Sequence, residues 1–409
     1  MLNSIPCGDL ELNISHPHGM PTLVPSPALE QRLDWRLQQA SETATSSEQT
    51  GAKTGASPLP PLAVHLHVHY LETLPTLLKA LSDCRSGLQD LRLWISTDTS
   101  AKANAISAVV QQSMIAEQAT TTKVRVCPNR GRNLGPLLQQ LWPELKQEAL
   151  VLHLHGKRSL ETDLGTAWLD QLLQRLLPDG DTVLALRKQF HNDPKLGVAM
   201  PQPPELIRPY LNWGNNFELA RQLAKPMGEH LHRDAVLVFP AGGMFWVRPA
   251  ALAPLTQCIN RLETLPPEPL PVDGSSLHAI ERLVAHACEV SGHHWRLSCQ
   301  TPIETTSDIG SISVLESRPD DFQQATSLLA SRWRHTEETL LCSETNLERC
   351  NAQLNQQIET ADKQLREADK QLREADTTIR SLNHQVMVMA SSWGWKLTCL
   401  LKKLVRIGT

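Results

Sequence analysis

The 409 residues carry 39 basic and 43 acidic side chains for a net charge of -4, with 41% apolar residues; the chain exceeds one compact core and lacks the basic field that collects nucleic acid, which excludes nucleic-acid partners. Nine scattered cysteines form no C-x-x-C pair, which argues against a disulfide framework or zinc ribbon and fits a reducing cytoplasm. The first residues hold no basic n-region ahead of an apolar h-region, and no apolar run approaches the roughly 18 residues of a spanning helix, so neither secretion nor membrane spanning is expected.

Residues 1–60 are rich in Pro, Ser, Thr and Gly and read as a weakly ordered N-terminal extension, with one hint of helix over 29–39. From residue 62 short apolar runs alternate with helical stretches. Strands are expected at 62–68, 90–97, 123–128, 149–155, 196–201 and 236–248, and helices at 71–82, 100–117, 134–145, 166–177, 182–192 and 275–291. This alternation predicts an α/β domain over 61–300, a single Rossmann-type unit with a mostly parallel sheet. Ligands of such sheets sit outside the carboxyl ends of the strands, so the residues following each strand matter most.

A linker is expected at 301–332 and a coiled coil at 333–390. Ile358, Leu365, Leu372, Ile379 and Val386 recur every seventh residue, each followed three positions on by Ala361, Ala368, Ala375, Leu382 or Met389. Self-association through this seam is expected, with the oligomer state open. Residues 391–409 read as a basic amphipathic helix, Leu397, Leu400, Leu401 and Leu404 against Lys396, Lys402, Lys403 and Arg406, suited to weak contact with a membrane surface.

The string NRGRNLGP, 129–136, follows a strand and precedes a helix. Asn129, Arg130 and Arg132 there offer backbone N–H groups and guanidinium forks to an anion, for which a diphosphate is the natural partner; a solvated basic loop is the alternative. Lys157 and Arg158, after His155, repeat the theme one strand later. His65, His67 and His69 alternate on one strand and His153 and His155 on another. Strand spacing sets i and i+2 side chains too far apart for one ion, so these histidines read as polar lining rather than metal ligands. Gly242 and Gly243 permit close backbone approach of a ligand, and Trp246 offers a stacking wall for a sugar or a piece of core. Trp213 with Asn215 pairs an aromatic face with amides, as a carbohydrate requires. Asp273 opens a helix, where it serves as cap or as the base that takes an acceptor proton. Glu281 lies deeper in that helix, placed to pair with an arginine or to line the acceptor site.

Taken in order, HLHVHY, NRGRNLGP, LHLHGKRS, WGNN, FPAGGMFWVRPAAL and DGSSLHAIERL resemble the rhamnan synthesis protein F family over 62 to 298. The resemblance implies a glycosyltransferase of the GT-A type that moves a deoxysugar, typically L-rhamnose, from a nucleoside diphosphate donor to a growing polysaccharide or lipid-linked glycan. It places Asp98, Asn129, Arg130 and Arg132 at the donor nucleoside, and His155, Lys157 and Arg158 where metal-dependent relatives keep an Asp-x-Asp. That acidic pair is absent from this sequence, so no cofactor and no divalent metal are expected, with cationic side chains balancing the leaving diphosphate. Asp273 matches the acceptor-activating carboxylate of inverting relatives. Asn133 stands where the family usually has Asp. The missing acids leave open a non-catalytic subunit that holds glycan while the coil recruits enzymes. The protein is expected in the cytoplasm or at the inner face of the membrane.

Overall fold

The computed structural model describes residues 4–7, 10–14, 21–36, 59–156, 164–228, 231–232, 236–261, 265–271, 273–300 and 319–407. It divides into two units, Met1–Ser327 and Leu328–Thr409.

The expectation of a weakly ordered extension fails for much of its first 36 residues. Strands β1 (Ser4–Cys7), β2 (Leu10–Ile14) and β3 (Pro21–Pro25) form an antiparallel sheet, followed by a helix, Pro27–Arg32, capped by the Ser26 hydroxyl. Of the stretch expected to be helical at 29–39, residues 29–32 lie in this helix and 37–39 lie outside the described residues. The first 36 residues are sparse in apolar residues, but Leu10, Leu12, Leu23, Val24, Leu29, Leu33 and Trp35 within them are buried. Its order depends on tertiary contact that composition does not reveal. Residues 37–58 lie outside the described residues.

The main sheet comprises β4 (Leu62–His67), β5 (Leu91–Thr97), β6 (Thr121–Val126), β7 (Leu150–His155), β8 (Leu196–Pro201), β9 (Phe245–Val247) and β10 (His294–Ser298) in the order β10-β8-β9-β7-β4-β5-β6. All strands but β9 run parallel. The α/β class and the mostly parallel sheet are therefore as the sequence predicts. Because side chains alternate across a strand, Val64, Leu66, Leu93, Ile95, Leu152 and Leu154 share one face and join a single apolar core with Leu77, Leu81, Leu172 and Leu186 from the helices. Each such side chain contributes about 1.5–3 kcal/mol by leaving water. His65, His67, His153 and His155 occupy the other face, in register as His65↔His153 and His67↔His155.

The strand expected at 236–248 is mostly irregular, and only 245–247 pairs, antiparallel to both neighbours. Gly242 and Gly243 have φ of +106° and +70°, left-handed conformations that interrupt an extended strand. β10, which the sequence reading missed, closes the far edge. The helix expected at 100–117 breaks because Ser113 caps a new one, Met114–Gln118, and that at 275–291 breaks at Leu283 into Ser276–Arg282 and Val284–Val290. The stretch 134–145 is a π turn, Pro136–Gln140, and a short helix, Trp142–Leu145.

One long helix runs Pro319–Ser391, beginning in the first unit and continuing through most of the second, so residues 319–332 are helical rather than linker; residues 301–318 lie outside the described residues. Exposed i,i+4 pairs Asp362–Arg366, Asp369–Arg373 and Asp376–Arg380 brace it, each contributing a few tenths of a kcal/mol. The Ser392 hydroxyl accepts the Trp395 N–H at 3.3 Å and starts the second helix, Trp393–Ile407.

Candidate functional site

The chain runs outward through β4, β5 and β6, then returns to lay β7 on the other side of β4. In open α/β sheets such a reversal marks where ligands are held, here the carboxyl ends of β4 and β7. On the histidine face of these strands the Ser96 hydroxyl lies 2.9 Å from both His65 Nε2 and His67 Nδ1. His65 stacks on His153 with their Nδ1 atoms 3.0 Å apart, and Phe245 meets His153 edge-on. Burial pulls the pKa of His65 down to about 3 and those of His67 and His153 well below their ordinary value, with neighbouring imidazoles adding to the effect. The rings are neutral side chains bonded within the sheet, and among the described residues no group of three His, Cys, Asp or Glu is placed to hold a metal ion.

The Gly242–Gly243 turn is gripped from three directions. Glu281 Oε1 accepts the Gly242 N–H at 3.1 Å, His155 Nε2 lies 2.7 Å from the Gly242 carbonyl, and the Asn133 amide donates to the Gly243 carbonyl at 3.2 Å. A Cβ at Gly243 would come within 2.6 Å of the Asn133 amide nitrogen, so glycine is required there for close packing as well as for φ. Glu281 thus binds backbone, while its charge also acts favourably on the neighbouring Arg282. Arg132, held at φ +46° after Gly131 at +77°, carries an exposed guanidinium 3.3 Å from His278 Nε2 and 3.6 Å from Glu268. Burial first, then Arg132 and Arg282, lower the pKa of His278. Arg130 donates to the Leu265 carbonyl at 2.9 Å, so part of its fork ties down a loop.

The remaining predicted residues divide. Asp98, after β5, pairs with Lys102 at 2.7 Å and His69 at 3.3 Å; burial works against its charge, but the Lys102 hydrogen bond and His69 more than offset that and keep its pKa low. Asp273 accepts the Asn215 N–H at 2.8 Å and the Asn216 side-chain amide, with Arg282 3.9 Å away. Burial again opposes its charge, and the Asn215 and Asn216 hydrogen bonds prevail, so Asp273 stays ionised below the usual carboxylate range. Asn129 and Asn215 are exposed. Two expectations fail: Trp246 is fully buried and donates its indole N–H to the Leu176 carbonyl, and Trp213 is 2% exposed with its ring edge-on to Phe217. Neither offers a face to a sugar, because both complete apolar packing. Lys157 and Arg158 lie outside the described residues. Sequence reasoning missed Ser96, Glu268 and His278; only Ser96 left a signal, by sharing the strand alternation of the histidine face.

A family profile described as rhamnan synthesis protein F matches residues 41–292. The uncharacterized protein WxcX of Xanthomonas campestris pv. campestris is 32% identical over 264 residues, 64% of this chain and 36% of that protein, in each of two strains. The chain therefore spans about a third of the length of these curated relatives. Among solved structures, the mannosyltransferase PcManGT from Pyrobaculum calidifontis, in complex with GDP-Man and Mn2+, is similar at 10% identity and a TM-score of 0.30, over 66% of this chain and 65% of that one. Glucosyl-3-phosphoglycerate synthase from Mycobacterium tuberculosis, in complex with phosphoglyceric acid, is similar at 13% identity and a TM-score of 0.30, over 64% and 80%. Such loose likeness transfers no residue. The family match spans the central strands, the Gly242–Gly243 turn and Asp273 alike, and the chain belongs to the rhamnan synthesis protein F family.

Proposed function

We propose that the protein is an inverting glycosyltransferase that moves a deoxysugar, L-rhamnose, from a nucleoside diphosphate donor to a growing cell-surface polysaccharide. The observation that carries this reading is the convergence of Asn133, His155 and Glu281 on the Gly242–Gly243 turn, with the Arg132 guanidinium exposed beside them. In this reading Arg132 faces the donor diphosphate and balances the charge of the leaving group. Asp273, ionised and with 31% of its side chain exposed, takes the proton of the acceptor hydroxyl as that oxygen attacks the anomeric carbon and the nucleoside diphosphate departs. Each Asp273 oxygen keeps a further lone pair beyond the loop bonds it accepts. Burial of Trp213 and Trp246 removes two stacking faces from the acceptor site, whether the glycan there is bound or elongated.

The donor site is proposed to work without a divalent metal, unlike the Mn2+ complex of PcManGT. A deoxysugar nucleotide is expected to raise the melting temperature equally in EDTA and in manganese, and Arg132→Ala to abolish the rise. A shift seen only with manganese would overturn the metal-free site.

We further propose that the long helix pairs with a second copy, parallel and in register. Its seam, including Leu365 and Leu372 at 69% and 70% exposure, is apolar and open. With Ile358 and Leu365 in a positions, Asp362, Asp369 and Asp376 fall in e, and Gln357, Gln364 and Gln371 in g. A parallel pair sets g against e, glutamine beside aspartate. An antiparallel pair sets e against e, acid beside acid. Asn351, in an a position, favours one register. Light scattering on the full chain is expected to give twice the monomer mass, falling to the monomer for the double variant Leu365→Lys with Leu372→Lys; a monomeric wild type would refute the pairing.

A further inference from the structure

Buried histidines with one partner on each nitrogen form a line whose polarity is determined by whichever end has no choice. Here that end is Asn133. Its Nδ2 lies 3.2 Å from the Gly243 carbonyl and 3.3 Å from His153 Nε2. A carbonyl only accepts, so the atom between them is the amide NH2, and its second hydrogen points to His153 Nε2. That nitrogen must then be the acceptor. His153, neutral through burial, carries its proton on Nδ1 and donates to His65 Nδ1 at 3.0 Å. His65 in turn is protonated on Nε2 and donates to the Ser96 oxygen at 2.9 Å, so the Ser96 hydroxyl donates to His67 Nδ1, also at 2.9 Å. Every contact is satisfied in this one direction. His67 is left with its proton on Nε2.

His65 and His153 are 0% exposed, whereas His67 is 8% exposed at the last position of β4, at the carboxyl ends of β4 and β7 where such sheets hold ligands. With Nδ1 taken by Ser96, Nε2 is the nitrogen available to a ligand. We propose that Asn133 is a positioning residue that acts through His153, His65 and Ser96 to hold His67 as a fixed N–H donor toward a phosphoryl oxygen at those strand ends. The phosphoryl ligand rests on the donor-site reading above, whereas the order of protons along the line does not.

An aspartate at 133, when ionised, only accepts, and would reverse every step: His153 would then be protonated on Nε2, His65 and His67 on Nδ1, and His67 Nε2 would become a base. Each ring keeps one proton in either direction. Nitrogen-15 NMR of the intact protein, with signals assigned by loss in His67→Gln, His65→Gln and His153→Gln, distinguishes the two. In the wild type His67 and His65 are expected as Nε2–H tautomers and His153 as Nδ1–H, and Asn133→Asp is expected to exchange all three. Ser96→Ala is expected to leave His65 and His153 unchanged and to give His67 both tautomers. An Nδ1–H tautomer at His67 in the wild type overturns the proposal without any variant, and unchanged tautomers in Asn133→Asp remove residue 133 from the role. Inorganic pyrophosphate is expected to shift the His67 Nε2–H signal and not that of His65; no movement strikes out the phosphoryl ligand while leaving the proton order standing.

Discussion

Arg208→Ala is expected to lower stability by about 3–5 kcal/mol, the usual loss when one partner of a buried ion pair is removed. Arg208 donates to Glu30 at 2.8 Å, to Glu11 at 3.0 Å and to the Pro25 carbonyl at 2.7 Å, with Gln202 adding a hydrogen bond to Glu30 at 3.1 Å. Its own carbonyl accepts the Asn13 amide. One guanidinium therefore fastens the N-terminal sheet and the helix Pro27–Arg32 to the 3-10 turn Glu205–Tyr210. Removing it leaves two carboxylates facing each other, one of them buried. Burial works against the Arg208 charge, but Glu30 and Glu11 more than offset it and raise its pKa. For Glu30 burial prevails and moves its carboxyl from 4.5 up to about 7.

The sign of the pH dependence follows from that shift. Between 4.5 and about 7 the folded protein binds a proton at Glu30 that the unfolded chain does not, so this group's contribution is fully present below 4.5 and is lost as pH rises toward 7. The loss in Arg208→Ala is therefore expected to be larger at pH 8 than at pH 5, and Glu30→Gln to be nearly neutral at pH 8. Urea unfolding at the two pH values reads both, and equal losses would show that the pair is not what binds the N-terminal sheet.

Asp273→Asn is expected to lower kcat by about 10²–10⁴-fold, the range for losing a general base, while the melting-temperature rise with deoxysugar nucleotide persists. The substitution also removes an acceptor for the Asn215 and Asn216 groups, so a purely structural loss has to be separated from a chemical one. The pH profile does this. Because those hydrogen bonds hold Asp273 ionised below the usual carboxylate range, the wild-type acid limb is expected there, and Asp273→Asn should lose the limb along with the rate. Undiminished turnover would move the base elsewhere.

Part of this was legible because it is periodic. Alternation over 62–67 and 150–155 places the histidines on one face and the leucines on the other before any fold is known. The carboxyl-end rule then selects 129–133, His155 and the turn after them as the region to inspect. Partners were not legible. Glu281 bonds the Gly242 N–H, a partner its place in the helix does not announce, and Trp246, a candidate sugar wall, fills the core. Both depend on which way a short antiparallel strand enters the sheet, and nothing local specifies that direction.

The amino-acid sequence by itself determined the strand and helix alternation, the two faces of β4 and β7, the heptad seam and the cluster of cationic and amide side chains at 129–133. These follow from periods of 2, 3.5 and 3.6 residues and from side-chain chemistry, which are properties of neighbouring positions. Tertiary structure alone decided that the strands Leu10–Ile14 and Pro21–Pro25 and the helix Pro27–Arg32 join the globular unit, that Asn133 reaches His153, and that Arg208 meets Glu30 across 178 residues. Such contacts are set by which buried polar groups find partners once the chain has closed on itself. That requirement is met between segments far apart in sequence, so it leaves no local pattern to read.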